Sequence, residues 1–436
     1  MGVPQPFYAE WAPGDDPGEP SPTWVTLPAM RNGSTCQRGG RSSVVDGYAQ
    51  GTAKLSFKNG NNAGEAETFD SEQLYRNRRI RIMVDDIPGF VATATPIWTG
   101  YVRRLDHNAD QWPAAAFVDI EAVDASGVWV RQNVARDTDD SALDDGALGW
   151  PTTAAELADE IDQQSLAIGT PDVLGDARAP VTLPVRYDTV EGGARIGRFT
   201  DKAQNALAKA LEVEIGSVHI AADGTPVVNG RYAVPDEYAT GPTPATFTMI
   251  PGDIDPSSGA FAYFGLKWAD VYSSHYSGAA TAGLTKKTYT SSIATPPDLF
   301  ERLDLWCADD NWVEANAELL RRLLTTQAPA PAEISVVVWD TAMSDFSCLA
   351  AVLDATSKLG RRYCNVVTKS PGSASQFTWQ CLVEGVRWSF TAAQVVATLQ
   401  LSAVLANWLA GYDLSTGIFA LDVAGRGLDS GAILGP

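Results

Sequence analysis

The segment Thr52-Ala-Lys-Leu-Ser-Phe-Lys58 carries the pattern that dominates this chain. Ala53, Leu55 and Phe57 alternate with polar residues, and this period of two is typical of a β-strand with one buried and one exposed face. Comparable strand patterns recur along the chain, in residues 79–85, 116–123, 334–339, 363–368, 377–388 and 394–401. Turn residues such as Asn59-Gly60 and Pro88-Gly89 separate them. The sequence therefore predicts a mainly β fold.

Helical patterns are fewer, and they predict α+β parts within the β structure. Thr153 and Glu156 form a capping box, which predicts a short helix to about residue 167. An apolar stripe from Ala203 to Leu211 predicts a second helix. A strand over 213–220 and a hairpin turned at Asp223-Gly224 follow it. A further helix is expected to begin near Asn311 and to end at the prolines around 329–331.

The composition excludes several classes of protein. The 436 residues include 32 Lys and Arg against 53 Asp and Glu, a formal net charge of −21, which disfavours specific binding of nucleic acid. Five dispersed cysteines without a CxxC pair argue against a disulfide framework or a structural zinc site. We find no apolar run long enough to span a membrane and no signal peptide pattern. The 13 tryptophans favour large contact interfaces.

A search for catalytic chemistry gives no candidate residues. The three histidines, His107, His219 and His275, belong to no zinc-hydrolase or deaminase motif, and no nucleophile-elbow motif occurs. We interpret His219 as a strand residue and the glycine-rich run 192–197 as a turn rather than a phosphate loop. Five aspartates in 137–145 predict a solvated acidic loop, with a hard cation such as calcium as the alternative. We therefore predict no catalytic, cofactor-binding or metal-binding residue, no cofactor and no enzymatic activity.

Several segments in chain order carry a resemblance to a known family. They include Phe7-Tyr-Ala-Glu-Trp11, Arg38-Gly-Gly-Arg41, Gly51–Asn59, Arg78–Met83, Trp98–Arg103 and Val118–Asp124 in the first third of the chain. Towards the end, Phe377–Trp388 contains the pattern Val383-Glu-Gly-Val-Arg-Trp388, followed by Ala397–Ser402 and Trp408. In these segments the chain resembles the tail-tip or baseplate hub proteins (minor tail proteins) of long-tailed, non-contractile phages that infect actinobacteria. The sequence departs from the usual pattern after Asn59, where Gly60-Asn61 replaces a common Asp-Gly pair.

The resemblance implies a fold of two tail-tube-like β-barrel domains and a small α+β domain. We place the first barrel at residues 1–150, the α+β domain at 151–235, and the second barrel, with helical insertions, at 236–436. Trp98 and Tyr101 are expected to pack inside the first barrel, and Trp379 and Trp388 inside the second.

The resemblance also implies a function in the virion. Three copies would form a hub ring at the tail tip that extends and closes the tail tube. This ring would join the distal tail protein to central spike or fibre proteins, would contact the tape measure protein, and would let DNA pass through its lumen without specific binding. The protein would be made in the host cytoplasm. From the charge of −21 we expect an acidic lumen wall.

Two alternatives stay open at the level of sequence. The chain could be the distal tail protein, which forms a hexameric adaptor ring and needs one tube-like barrel per copy. It could also be a carbohydrate-binding tail module that uses clustered, exposed tryptophans.

Overall fold

A computed structural model describes a large part of the chain. The described residues are 5–13, 21–41, 47–58, 78–108, 117–130, 133–136, 188–190, 193–195, 199–211, 215–230, 233–249, 263–269, 274–280, 287–289, 298–305, 323, 330–369, 375–403, 405, 409, 412–413 and 418–419.

The described residues form 24 strands and four helices, so the fold is mainly β, as predicted. The strands of the first half are β1 (Phe7–Ala12), β2 (Val25–Thr26), β3 (Ser34–Gly39), β4 (Thr52–Lys58), β5 (Arg79–Val84), β6 (Thr95–Asn108), β7 (Phe117–Val123), β8 (Asn133–Arg136), β9 (Asp188–Val190), β10 (Gly193–Arg195) and β11 (Phe199–Lys202). Those of the second half are β12 (Ser217–Ile220), β13 (Pro226–Asn229), β14 (Thr246–Thr248), β15 (Tyr263–Ala269), β16 (Ser274–Ala280), β17 (Lys287–Tyr289), β18 (Asp298–Leu305), β19 (Ala330–Asp340), β20 (Tyr363–Lys369), β21 (Gln376–Phe390), β22 (Gln394–Ser402), β23 (Tyr412–Asp413) and β24 (Ile418–Phe419). The helices are α1 (Ser126–Trp129), α2 (Ala203–Leu211), α3 (Ala233–Thr240) and α4 (Ser347–Ala355).

One large, predominantly antiparallel sheet contains 13 of these strands. Its main path runs β15-β19-β22-β21-β3-β4-β7-β6-β5-β1-β2, and β20 and β14 branch from β21. The central step of this path joins β21 to β3, with Gly385 opposite Gly39 and Phe390 opposite Ser34. Strands from the two ends of the chain therefore lie in one continuous hydrogen-bonded sheet.

One side of this sheet covers the hydrophobic core. Alternation fixes which residues face it: Ala53, Leu55 and Phe57 are buried, and their polar neighbours Thr52, Lys54 and Lys58 are exposed. The core is shared between the two ends of the chain. The ring of Phe7 in β1 lies 5.9 Å from that of Trp388 and 5.6 Å from that of Phe390 in β21. Trp388 is thus buried as expected, but it packs against the N-terminal strand as well.

Most of the predicted elements that lie in the described residues are confirmed. Helix α2 buries the predicted stripe, and β12 and β13 form the predicted hairpin, whose Gly224 has a φ of 94°. The predicted start of the preceding strand at 213 is wrong. Ile215 adopts a left-handed φ of 51°, so the extended segment begins only at Ser217.

Other predictions concern residues outside the described part of the chain. These are the helix over 153–167, most of the helix from 311, the acidic loop 137–145 and the turn after Asn59. The division into domains at 150 and 235 stays a prediction. Within the described residues, no helix is both long and apolar enough to cross a membrane.

Candidate functional site

The side of the large sheet that faces away from the core forms a mainly polar surface, on which Val337 lies opposite Val396 and on which Val337 and Thr398 are buried. It runs from β19 through β22, β21, β3, β4 and β7 to the end of β6, and adjacent residues on it are fixed by the strand registers. We call this surface the polar face. Its uncharged polar side chains are Thr35, Gln37, Thr52, Ser56, Ser335, Ser389, Gln394, Thr398 and Gln400.

Charged side chains on the polar face occur in equal numbers of each sign. They are the basic residues Lys54, Lys58, Arg103, Arg104 and Arg387, and the acidic residues Asp106, Asp119, Glu121, Glu333 and Asp340. On the strands the five basic residues balance the five acidic ones, and the Arg31 guanidinium, which lies over the Phe117 ring, adds one positive charge, although the whole chain carries −21.

Many of these charges lie next to an opposite charge. Lys54 pairs across the strands with Glu121, and Glu121 pairs on its other side with Arg104. Arg104 also forms an ion pair of 2.9 Å with Asp106. Asp119 lies opposite Ser56, so its diagonal neighbours are Lys54 and Lys58, which lie two residues before and after Ser56. Charges of alternating sign therefore run across three adjacent strands through Lys54, Glu121 and Arg104, whereas Asp119 lies directly opposite another acid, Asp106, on β6.

A buried ion pair joins segments from the two ends of the chain where β3 pairs with β21. The Glu384 carboxylate accepts hydrogen bonds from Arg41 at 2.8 and 3.2 Å and from the Tyr48 hydroxyl at 2.7 Å. The side chains of Arg41 and Glu384 are each only 3% exposed. The Arg41 guanidinium also lies 4.8 Å from the centre of the Tyr48 ring. Burial raises the pKa of Tyr48 well above its ordinary value, so this hydroxyl stays a donor.

Glycines allow the backbones to approach closely at this junction. Gly39 and Gly40 have φ values of 66° and 97°, in the region that favours glycine. The Gly40 amide donates to the Glu384 carbonyl at 2.8 Å. A Cβ on Gly360, whose φ is 75°, would collide with the Tyr48 hydroxyl. We call Arg41, Tyr48, Glu384 and these close glycines the polar junction.

Two motifs that are more than 340 residues apart in sequence thus meet in space. Arg38–Arg41 and Val383–Trp388 were both segments that carried the family resemblance, and here they form neighbouring strands and a shared ion pair. The sequence marked both segments as unusual. It gave no sign that they are partners, and it did not indicate Tyr48 at all.

Arg38, which lies beside the polar junction, contacts the C-terminal end of helix α4. Its guanidinium is buried and donates to the carbonyl of Thr356, the residue that ends α4, at 2.7 Å. A cation at this place complements the negative end of the helix dipole. Burial lowers the pKa of Arg38 to about 10. Its Nε and Nη1 have no hydrogen-bond partner within the described residues.

His219 lies in β12, as predicted, and it is buried beside the junction. Its ring lies 5.3 Å from that of Tyr48. Burial, and then the positive charges of Arg38, Arg361 and Arg41, lower its pKa to about 3, so it is neutral at pH 7. Its Nδ1 atom finds no hydrogen-bond partner in the part of the chain that the structure describes.

A cavity of about 100 Å³ adjoins His219 and Tyr48, and α2 lines it on one side. Asp124, also in its wall, accepts hydrogen bonds from the amides of Gly51 at 2.8 Å and Ser126 at 3.0 Å. Burial raises the pKa of Asp124 to about 6 against the opposing effect of these bonds. A space of this size holds several water molecules.

The described residues contain no cluster of three or more His, Cys, Asp or Glu side chains that could hold a metal. The acidic loop 137–145 lies outside those residues, so its alternative interpretation as a cation site stays a prediction. Gly193–Arg195 of the glycine-rich run form a strand paired with β9, so the interpretation of these three residues as a turn is wrong.

Comparison with solved structures identifies the fold. The chain is similar to a tail protein from Neisseria meningitidis MC58, with a TM-score of 0.52 and 9% identity over 91% of this chain and 96% of that one. It also matches the 43 kDa tail protein of prophage MuSo2 from Shewanella oneidensis, with a TM-score of 0.47 and 12% identity over 92% and 98%. A prophage tail protein from Listeria monocytogenes EGD-e matches with a TM-score of 0.41 and 9% identity over 93% and 98%.

The likeness to the Neisseria protein extends over nearly the whole of both chains, so this chain has the fold of a tail protein. Neither a protein-family model nor a curated protein sequence matches it.

Proposed function

We propose that this chain is a structural protein of a phage tail and that three copies of it form the hub ring at the tail tip. Two independent lines support the proposal. The fold is that of a tail protein, and two of the sequence segments that resemble hub proteins supply Arg41 and Glu384 of the polar junction. The actinobacterial, non-contractile type of phage rests on the sequence resemblance alone.

The observation that carries the proposal is the single sheet through β3 and β21. A ring that prolongs a tube needs a wall to which each copy contributes a continuous sheet with one mainly polar side. Here seven adjacent strands from both ends of one chain supply such a sheet, and a buried ion pair locks its centre. Cyclic association of three copies would close these sheets into a ring.

In this role the chain acts by binding other tail components rather than by catalysis. We propose that one rim of the ring binds the distal tail protein and that the other binds central spike or fibre proteins. The tape measure protein would contact the lumen before ejection, and DNA would then pass through. The ring would lie at the tail tip of the virion.

Copy number tests the proposal. Mass photometry of the purified chain should show a particle of three times the 46.5 kDa mass of one copy. Six copies would instead support the distal tail protein, and a particle that stays monomeric at all concentrations would contradict a ring-forming hub.

A further inference from the structure

We infer that the polar face is the lumen wall of the ring and that its balanced charges let duplex DNA pass without binding. This inference rests on the proposed function, and it specifies the surface and the physical means by which that function is met. The sequence led us to expect an acidic wall. The structure points instead to a wall with local charge cancellation.

The geometry of the sheet supports the assignment of the lumen wall to the polar face. The opposite side of the same strands is buried in the hydrophobic core, so only the polar face of this sheet can meet a passing polymer. The face is also continuous, because β21 and β3 join the two ends of the chain without a break.

The near balance of charge on the polar face supports the inference that DNA passes along it without binding. Directly opposed side chains such as Lys54 and Glu121 lie about 5 Å apart in an antiparallel sheet. Salt at about 0.15 M screens charges over roughly 8 Å, so a phosphate beyond that distance senses the sum of several neighbours rather than one lysine. With five charges of each sign on the strands and the Arg31 guanidinium over Phe117, that sum is a single positive charge. A wall with this pattern neither holds DNA by releasing counterions nor repels it strongly.

The uncharged residues of the polar face are also suited to a wall that does not bind DNA. Thr35, Gln37, Thr52 and Ser56 keep the centre of the wall hydrated without charge. Ser335 and Thr398 satisfy each other with a hydrogen bond of 2.9 Å, which leaves them fewer groups to offer to a ligand. The Phe117 ring is covered by the Arg31 guanidinium at 4.2 Å, so it is a poor platform on which bases could stack.

The experiment removes acids from the face and measures binding of fluorescently labelled duplex DNA by anisotropy. The wall variant carries Asp119→Asn, Glu121→Gln and Glu333→Gln, which leaves six basic residues of the polar face, Arg31 included, with two acidic ones. The control carries Asp85→Asn, Asp86→Asn and Asp223→Asn, three exposed acids away from the face, and has the same change in net charge.

We expect no binding by the wild type, and affinity for DNA that is about tenfold or more higher in the wall variant than in the control, with a steep dependence on salt. Equal affinities of the two variants, or binding by the wild type, would overturn the inference. Glu121→Gln alone, compared with Asp86→Asn alone, repeats the test if the triple variant does not fold. Copy number is measured on the same samples, so a failure of the ring proposal is seen separately from a failure of charge cancellation.

Discussion

Glu384 shows at the scale of a single residue how the two ends of the chain are held. Its carboxylate is buried and neutralises Arg41, which is equally buried. We predict that Glu384→Gln lowers the free energy of unfolding by about 3 kcal/mol or more, because Arg41 then stays buried without a counter-charge. Urea unfolding followed by tryptophan fluorescence measures this change.

The matched control is Glu10→Gln, which breaks the ion pair with Arg81 on the sheet surface. That pair is 2.6 Å long but 13% and 26% exposed, so its loss should cost about 1 kcal/mol or less. Similar losses in both variants would show that the buried pair has no special role in joining the ends.

His219 makes stability depend on pH. Its pKa is about 3 in the folded chain, against about 6.5 when unfolded, so the unfolded state takes up the proton first. The stability that the neutral ring contributes is complete above pH 6.5 and is lost as the pH falls towards 3. Between pH 7 and pH 5 the wild type should lose about 2 kcal/mol relative to His219→Gln. Urea midpoints of both proteins across this range test the prediction, and parallel curves would contradict it.

Single residues were predicted well where burial follows a local pattern. Ala53, Leu55 and Phe57 are in the core because alternation alone decides their side of the sheet. The polar junction could not be predicted, because Arg41 and Glu384 are 343 positions apart and their pairing depends on the sheet topology. The low pKa of His219 likewise needs the three arginines that the fold gathers around it.

At the scale of elements, β21 is the strand that links the two halves of the sheet. Its residues Gly385–Phe390 pair with β3 on one edge and with β22 on the other, whereas Gln376–Leu382 pair with β20. Trp388 and Trp379 lie in these two parts of the same strand, so they form a matched pair for mutation.

We predict that Trp388→Ala destabilises the chain by about 3–5 kcal/mol and speeds amide hydrogen exchange in β1, because Phe7 loses its packing partner. Trp379→Ala, on the half-buried part of β21, should cost less and leave the exchange of β1 unchanged. Hydrogen exchange measured by mass spectrometry on a peptide that covers Phe7–Ala12 gives the readout. Unchanged exchange of β1 in Trp388→Ala would mean that the two halves are not coupled through this core.

The strands themselves were predictable because each has its own alternation or apolar run and its own turn residues. Their order in the sheet was not, since the step from β3 to β21 joins segments with no local relationship. The wrong strand boundary before β12 has a local cause. The left-handed backbone of Ile215 interrupts an apolar pattern that otherwise resembles a longer strand.

At the scale of the whole molecule, charge is distributed unevenly. The chain has a net charge of −21, from which we expected acids to line the lumen. The polar face, which we propose as the lining of the lumen, carries none of this excess negative charge. Net charge can be counted from a sequence, but its placement on one side of a sheet depends on register and strand order.

A cryo-EM map of the assembled ring tests the central proposal most directly. We predict three copies around one axis, with β19, β22, β21, β3, β4 and β7 of each copy forming the wall and with the polar face, including Lys54, Glu121 and Arg387, towards the lumen. A ring of six copies, or a ring in which this face points outwards, would contradict the account.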